Sequence, residues 1–299
     1  MPHWLAATRP QFLTISIVAV LVGFTTALTD GAAFDAVRCL LALLGALLVH
    51  AGANMINDFH DRHADAGNAE GLYPFTGGSR LIQHGTIEPA GMARLGYGAL
   101  ALAALIGAGL ALADRPGLWV IGAIGLLLAV AYSAPPLRVS ARGAGEAVIA
   151  AAWLLVVVGS DLTLRGHWSF GPLAAGMPLA LLIAAILLAN GYPDRRADAA
   201  AGKRTLVVRL GPQGAGLAYI GLVIAATLWL IGCTAMGALP GWVLIALLPL
   251  PMSWSAARRL RGHEADASSH ESLRPALQAT IAAAHLHGLL VVAGLVAGR

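Results

Sequence analysis

The feature that most constrains this chain is the recurrence of apolar stretches about twenty residues long, each ended by a short polar interruption. A helix rises 1.5 Å per residue, so one such stretch reaches across the roughly 30 Å hydrocarbon layer of a bilayer. Marked by their interruptions, the stretches fall at 11–29, 36–58, 90–112, 117–134, 145–163, 171–192, 213–236, 239–257 and 275–297. The expected fold class is all-α: a polytopic membrane protein with nine transmembrane helices forming one domain over 1–299. Composition points the same way. Hydrophobic residues make up 58% of the chain and charged residues only 11%, where soluble domains carry about 25% charge. Neither a disordered chain nor a soluble enzyme with a polar shell has this balance.

Cytoplasmic loops of membrane proteins carry the excess of Lys and Arg. Of the 19 such residues here, only Arg38, Arg115, Arg165 and Arg299 fall in the loops after odd-numbered spans or at the C-terminus. That asymmetry predicts an N-in, C-out orientation. Residues 1–10 lead into the first span without an A-x-A cleavage site, so this span is expected to be a retained helix. A net charge of +4 without a basic cluster argues against nucleic acid as a partner. Cys39 and Cys233 lie in separate apolar stretches, with no spacing that suggests a disulfide framework or a zinc site.

Two helix ends carry unusual polarity. The second span runs into AGANMINDFHDRHAD. At 100° per residue, Asn54, Asn57, Asp58, Asp61 and Asp65 share an arc of about 100°, while His60 and His63 lie off it. The sixth span runs into LLANGYPDRRADAAAGKRT, where Asn190, Asp194 and Asp198 follow i, i+4, i+8 spacing and Pro193 suggests a kink or a change of direction. A single Asp at a helix end is ordinarily a solvated residue. Two clusters of oxygen side chains at the same membrane face are a different matter, because ionisable groups near the membrane are costly and mark function.

Carboxylates and amides without His or Cys on the same face favour hard cations, and Mg²⁺ binds through few carboxylates plus substrate phosphates. Each cluster is followed by glycine and basic residues, Thr76-Gly77-Gly78-Ser79-Arg80 and Gly202-Lys203-Arg204-Thr205. Backbone N–H groups at such glycines can approach phosphate oxygens. A diphosphate bridged by Mg²⁺ between two facing acidic clusters satisfies both patterns. Lys203 is the single lysine among the chain's basic residues, which reads as a need for a compact point charge or as chance.

These motifs resemble the UbiA superfamily of intramembrane prenyltransferases. NDFHDRHAD (57–65) matches NDxxDxxxD, and PDRRAD (193–198) contains DxxxD. Within the superfamily the chain is most similar to the MenA branch, the 1,4-dihydroxy-2-naphthoate polyprenyltransferases, through TRPQFLTISIVAVLVG (8–23), TGGSRLIQHGTI (76–87), YSAPPLR (132–138) and GKRTLVVRLG (202–211). The resemblance implies nine helices around a central cavity open to lipid, in a bacterial inner membrane with the active site on the cytoplasmic side. It implies that Asn57, Asp58, Asp61, Asp65, Asp194 and Asp198 hold Mg²⁺ and a prenyl diphosphate, and that Arg80, Lys203, Arg204 and Arg9 contact the diphosphate. Asn54 and Asn190 join the substrate-binding set on helix geometry.

The reaction expected is transfer of a polyprenyl group to an aromatic acceptor. Tyr132 reads either as an aromatic face that shields an allylic cation or orients the acceptor, or as an interfacial belt residue. Other acceptors, such as 4-hydroxybenzoate, stay open. Among rival classes, a CDP-alcohol phosphatidyltransferase needs a DGxxAR run that DFHDRHAD lacks. A cation-coupled transporter would place its acids at the midplane, whereas these lie at helix ends.

Overall fold

A computed structural model describes residues 2–68, 72–263 and 270–299. Among these residues all regular structure is helical: α1 (His3–Ala7), α2 (Pro10–Thr29), α3 (Ala36–Ala66), α4 (Pro89–Ala113), α5 (Leu118–Ala131), α6 (Gly145–Arg165), α7 (Gly171–Ala200), α8 (Leu206–Ala235), α9 (Leu250–Arg261) and α10 (Arg274–Ala297). Short 3₁₀ segments occur at Ser140–Arg142, Gly241–Leu247 and Glu271–Leu273.

Seven of the expected spans are helices long and apolar enough to cross a membrane: α2, α3, α4, α6, α7, α8, and α10 with the 3₁₀ turn before it. The two other stretches take different forms, and proline accounts for both. α5 has 14 residues, bounded by Pro116 on one side and Pro135-Pro136 on the other. The 239–257 stretch divides into the 3₁₀ segment and α9, with Pro249 and Pro251 at the junction. Proline suits the first turn of a helix but disfavours helical backbone in the residue before it. α8 likewise bends at Gly211, whose backbone is non-helical just before Pro212.

α3 and α7 outrun their apolar stretches. At 31 and 30 residues, each is roughly 45 Å long at 1.5 Å per residue, against a hydrocarbon layer of about 30 Å. The excess is the acidic sequence at their C-terminal ends. Helical backbone continues through Pro193 to Ala200, so the second acidic motif stays in register on one helix. At its other end α3 is capped by Asp35, whose side chain accepts the Arg38 N–H at 3.0 Å.

α7 is the central helix, with 78% of its apolar window buried against 22% for α3. It packs between α6 and α8 and also meets α2 and α10, while α3 pairs with α4. Gly52 and Gly96 set that last contact, since a Cβ on Gly52 would stand 3.0 Å from the Gly96 carbonyl oxygen. Small residues at a crossing let membrane helices approach this closely. The outer surface is apolar: Phe34, Leu105, Leu112, Met236 and Leu248 are all at least 68% exposed. Lipid, not water, is the solvent that leaves such a surface without penalty.

Candidate active site

The C-terminal ends of α3 and α7 face a cavity of about 680 Å³ that continues down between α2, α3, α4, α5, α6 and α7. Its polar mouth is lined by Arg9, Asn54, Asn57, Asp61, Asp65, Tyr132, Asn190, Asp194, Asp198 and Lys203. Below them the wall is largely Leu, Ile, Val, Ala and Gly.

Lys203, in the turn between α7 and α8, joins the two acidic motifs. Its Nζ lies 2.8 Å from Asp61 of α3 and 3.3 Å from Asp198 of α7. Burial works to lower its pKa, but the two aspartates outweigh that and hold it above the ordinary lysine value of 10.5. Arg9, in left-handed backbone at the start of α2, pairs with Asp58. Asn57 donates from Nδ2 to Asp61 at 2.7 Å and to the Ser133 hydroxyl at 3.0 Å. Asn68 donates to Asp194 at 2.5 Å, and Asn54 donates to the Thr8 carbonyl at 3.1 Å.

The segment after α3 folds over the mouth. Gly77 and Gly78 both have positive φ, which glycine adopts without strain. A Cβ on Gly78 would fall 2.5 Å from Asp65 Oδ2 and 3.1 Å from Asp58 Oδ1, so no larger residue fits between these acids. The Ser79 N–H donates to both Asp58 carboxylate oxygens at 3.3 Å. Arg80 donates from Nη1 to the backbone carbonyls of Asp65, at 2.6 Å, and Asn68, at 3.3 Å, closing the end of α3.

Five aspartates thus meet two cations, Arg9 and Lys203. Among the described residues no three His, Cys, Asp or Glu side chains converge as a ready-made metal site. Asn190 has a buried Oδ1 without a hydrogen-bond partner, an oxygen donor left unused on the cavity wall.

The sequence profile of the UbiA prenyltransferase family matches residues 16–274. The chain belongs to the UbiA prenyltransferase family. It is 30% identical to the 1,4-dihydroxy-2-naphthoate octaprenyltransferase of Escherichia coli (strain K12), over 98% of this chain and 94% of that one. Identity to the Mycobacterium tuberculosis protein of the same name is 31%, over 87% and 86%. Among solved structures, a UbiA homologue from Archaeoglobus fulgidus bound to DMAPP and Mg²⁺ shares the fold at a TM-score of 0.71 and 20% identity, over 96% of this chain and 98% of that one.

This UbiA prenyltransferase is therefore a membrane-embedded transferase whose acidic motifs lie at one end of one cavity. Not every residue singled out in the sequence lines it: Asp58, Arg80 and Arg204 lie off the wall. Asp58 turns to Arg9 and Ser79, Arg80 to the end of α3, and the Arg204 backbone N–H donates to the Ala141 carbonyl at 2.8 Å. Conversely, His50, Trp153 and Glu146 line the cavity without having been singled out. For His50 a signal existed: on the helical wheel of α3 it falls about 80° from Asp58, within the acidic arc. Glu146 and Trp153 are isolated polar atoms on an apolar helix, and no spacing rule marks them.

Proposed function

We propose that this UbiA prenyltransferase is a Mg²⁺-dependent enzyme that transfers a polyprenyl group from a prenyl diphosphate to an aromatic acceptor, 1,4-dihydroxy-2-naphthoate in menaquinone biosynthesis. The observation that carries this reading is the pairing of two acidic helix ends across the mouth of an otherwise apolar cavity. The curated relatives named for that naphthoate support the acceptor. The protein is placed in a bacterial inner membrane, N-in and C-out, with α5 and the 241–261 segment completing nine crossings and the site on the cytoplasmic side. The bias of Lys and Arg supports that orientation.

The donor set fits Mg²⁺ entering with its substrate. It is made of hard oxygens, with the unpartnered Asn190 Oδ1 among them. Mg²⁺ binds through one or two carboxylates and completes its shell with phosphate oxygens and water. Asn57, Asp58, Asp61, Asp65, Asp194 and Asp198 are the residues assigned to hold it. When bound, the metal supplies charge to stabilise the departing diphosphate.

The chain's own groups do the rest. Lys203 and Arg9 bring positive charge to the mouth, and Arg80 and Arg204 flank it where a diphosphate extends outward. The backbone at Gly77 and Gly78 is able to approach phosphate oxygens. The apolar wall holds the prenyl chain and keeps water from the allylic cation. Tyr132 stands at the boundary of the two regions, where its ring faces the cation or orients the acceptor.

Purified protein given Mg²⁺, a labelled prenyl diphosphate, and separately 1,4-dihydroxy-2-naphthoate, 4-hydroxybenzoate and homogentisate is expected to form a lipid-soluble product with the naphthoate alone. Product with a different acceptor would reassign the substrate. No product with any of them would overturn prenyl transfer and favour a cation-coupled transporter.

A further inference from the structure

Glu146 is the acid of the cavity wall that the reading above leaves unused. It sits in the first turn of α6, where its carboxylate accepts from its own backbone N–H and has no hydrogen bond or ion pair with another described residue. Four of the five aspartates at the mouth differ in this. Asp61 and Asp198 share Lys203, Asp58 pairs with Arg9, and Asp194 accepts from Asn68. An acid in the first turn also meets the positive end of its helix, which steadies its charge.

Its depth is informative. Gly145 packs on Leu187, so that a Cβ there would sit 3.3 Å from the leucine side chain. Leu187 precedes Asp194 by seven residues on α7, and a Cβ on Gly143 would stand 2.9 Å from the Arg204 carbonyl oxygen, so the start of α6 lies between the turn that carries Lys203 and the apolar part of the wall. The same Gly145 lies against Ser140, whose hydroxyl donates to the Tyr132 carbonyl at 2.7 Å. Glu146 is therefore next to the tyrosine and below the acidic mouth. With the diphosphate held at the mouth, the ring that attacks its first prenyl carbon belongs at this level.

We propose that Glu146 is the catalytic base that takes the proton from the acceptor's hydroxyl, an inference that rests on the prenyl-transfer reading. The hydroxyl O–H bond breaks and the proton passes to a Glu146 carboxylate oxygen. The prenyl C–O bond breaks, its electrons leave with diphosphate, and the electron pair left on the acceptor oxygen moves through the ring to form the new bond from ring carbon to the allylic cation. The dienone so formed regains aromaticity by releasing a proton from that carbon to the departed diphosphate, or carbon dioxide where the carbon carried a carboxylate. The ring oxygen then recovers its proton from Glu146. The substrate class is a hydroxyaromatic ring, activated through its oxygen.

The test compares wild type with Glu146→Gln on hydroxyaromatic acceptors of graded hydroxyl acidity. For weakly acidic acceptors, Glu146→Gln is expected to lower kcat/KM about 100-fold, in the range of a lost general base, and the deficit shrinks to about threefold or less when the hydroxyl is already ionised. The KM for prenyl diphosphate stays unchanged, which also reports that the variant is folded. Glu146→Asp, which keeps the carboxylate, recovers part of the rate. A deficit equal across all acceptors, or no deficit, overturns the proposal while leaving prenyl transfer intact. Absence of product from wild type with every acceptor overturns both.

Discussion

Lys203 binds carboxylates from two helices that are far apart in sequence, Asp61 at 2.8 Å and Asp198 at 3.3 Å. Because its pKa is raised on folding, its contribution to stability is fully present below the unfolded value of about 10.5 and is lost as pH rises through the higher folded value. Wild type is therefore expected to melt above Lys203→Met at pH 7–9, with the gap closing beyond pH 10.5; a gap constant with pH contradicts the ion-pair account. Gly78→Ala tests the other side of the mouth. Its Cβ would collide with Asp65 in a backbone conformation that costs a non-glycine residue about 1 kcal/mol or more, so prenyl transfer should fall at least tenfold, measured as kcat/KM for the diphosphate. Helical spacing is enough to put the α3 acids on one face, because that face is fixed by local geometry. It does not reveal that Asp58, at the edge of the arc, turns to Arg9, since the path of the chain before α2 has no periodicity to read.

α3 and α7 show why the two motifs were legible as helix ends while their lengths were not. Apolarity marks where a helix is in lipid, and it stops at 58 and 192, yet backbone hydrogen bonding carries both helices about two turns beyond, to Ala66 and Ala200. The converse holds for α5 and the 241–261 segment, where the sequence stays apolar but proline interrupts the helix. At the opposite end of the bundle, α6 holds a pair that apolarity obscured. Asp161 is 1% exposed, its Oδ2 lies 2.8 Å from Arg165 Nε, and it accepts from the Thr26 hydroxyl at 2.9 Å. Removing one partner of a buried pair strands the other charge, at a cost of about 3–5 kcal/mol. Arg165→Met should accordingly lower the midpoint of thermal unfolding in detergent, while the KM for prenyl diphosphate in the folded fraction stays at the wild-type value. A change in KM without loss of stability contradicts a purely structural role.

For the molecule as a whole, scarcity of charge gives the arrangement its meaning. An apolar exterior, a central α7 and a cavity with one polar mouth fit a protein that takes a long apolar chain from lipid and holds its charged head at the membrane surface. Orientation is testable independently: a phosphatase reporter fused after Arg299 should be active outside the membrane, and one inserted at 201–205 inactive. The reverse result contradicts the N-in, C-out assignment. The central claim, that the ends of α3 and α7 form one metal and diphosphate site, is tested most directly by titrating a non-reactive prenyl thiolodiphosphate into the protein with Mg²⁺ and with a chelator. Binding should weaken at least 100-fold, about 2.7 kcal/mol, on chelation, and by a similar factor with Mg²⁺ present in Asp61→Asn and in Asp194→Asn. Equal affinity with and without Mg²⁺, or dependence on only one of the two aspartates, would contradict it.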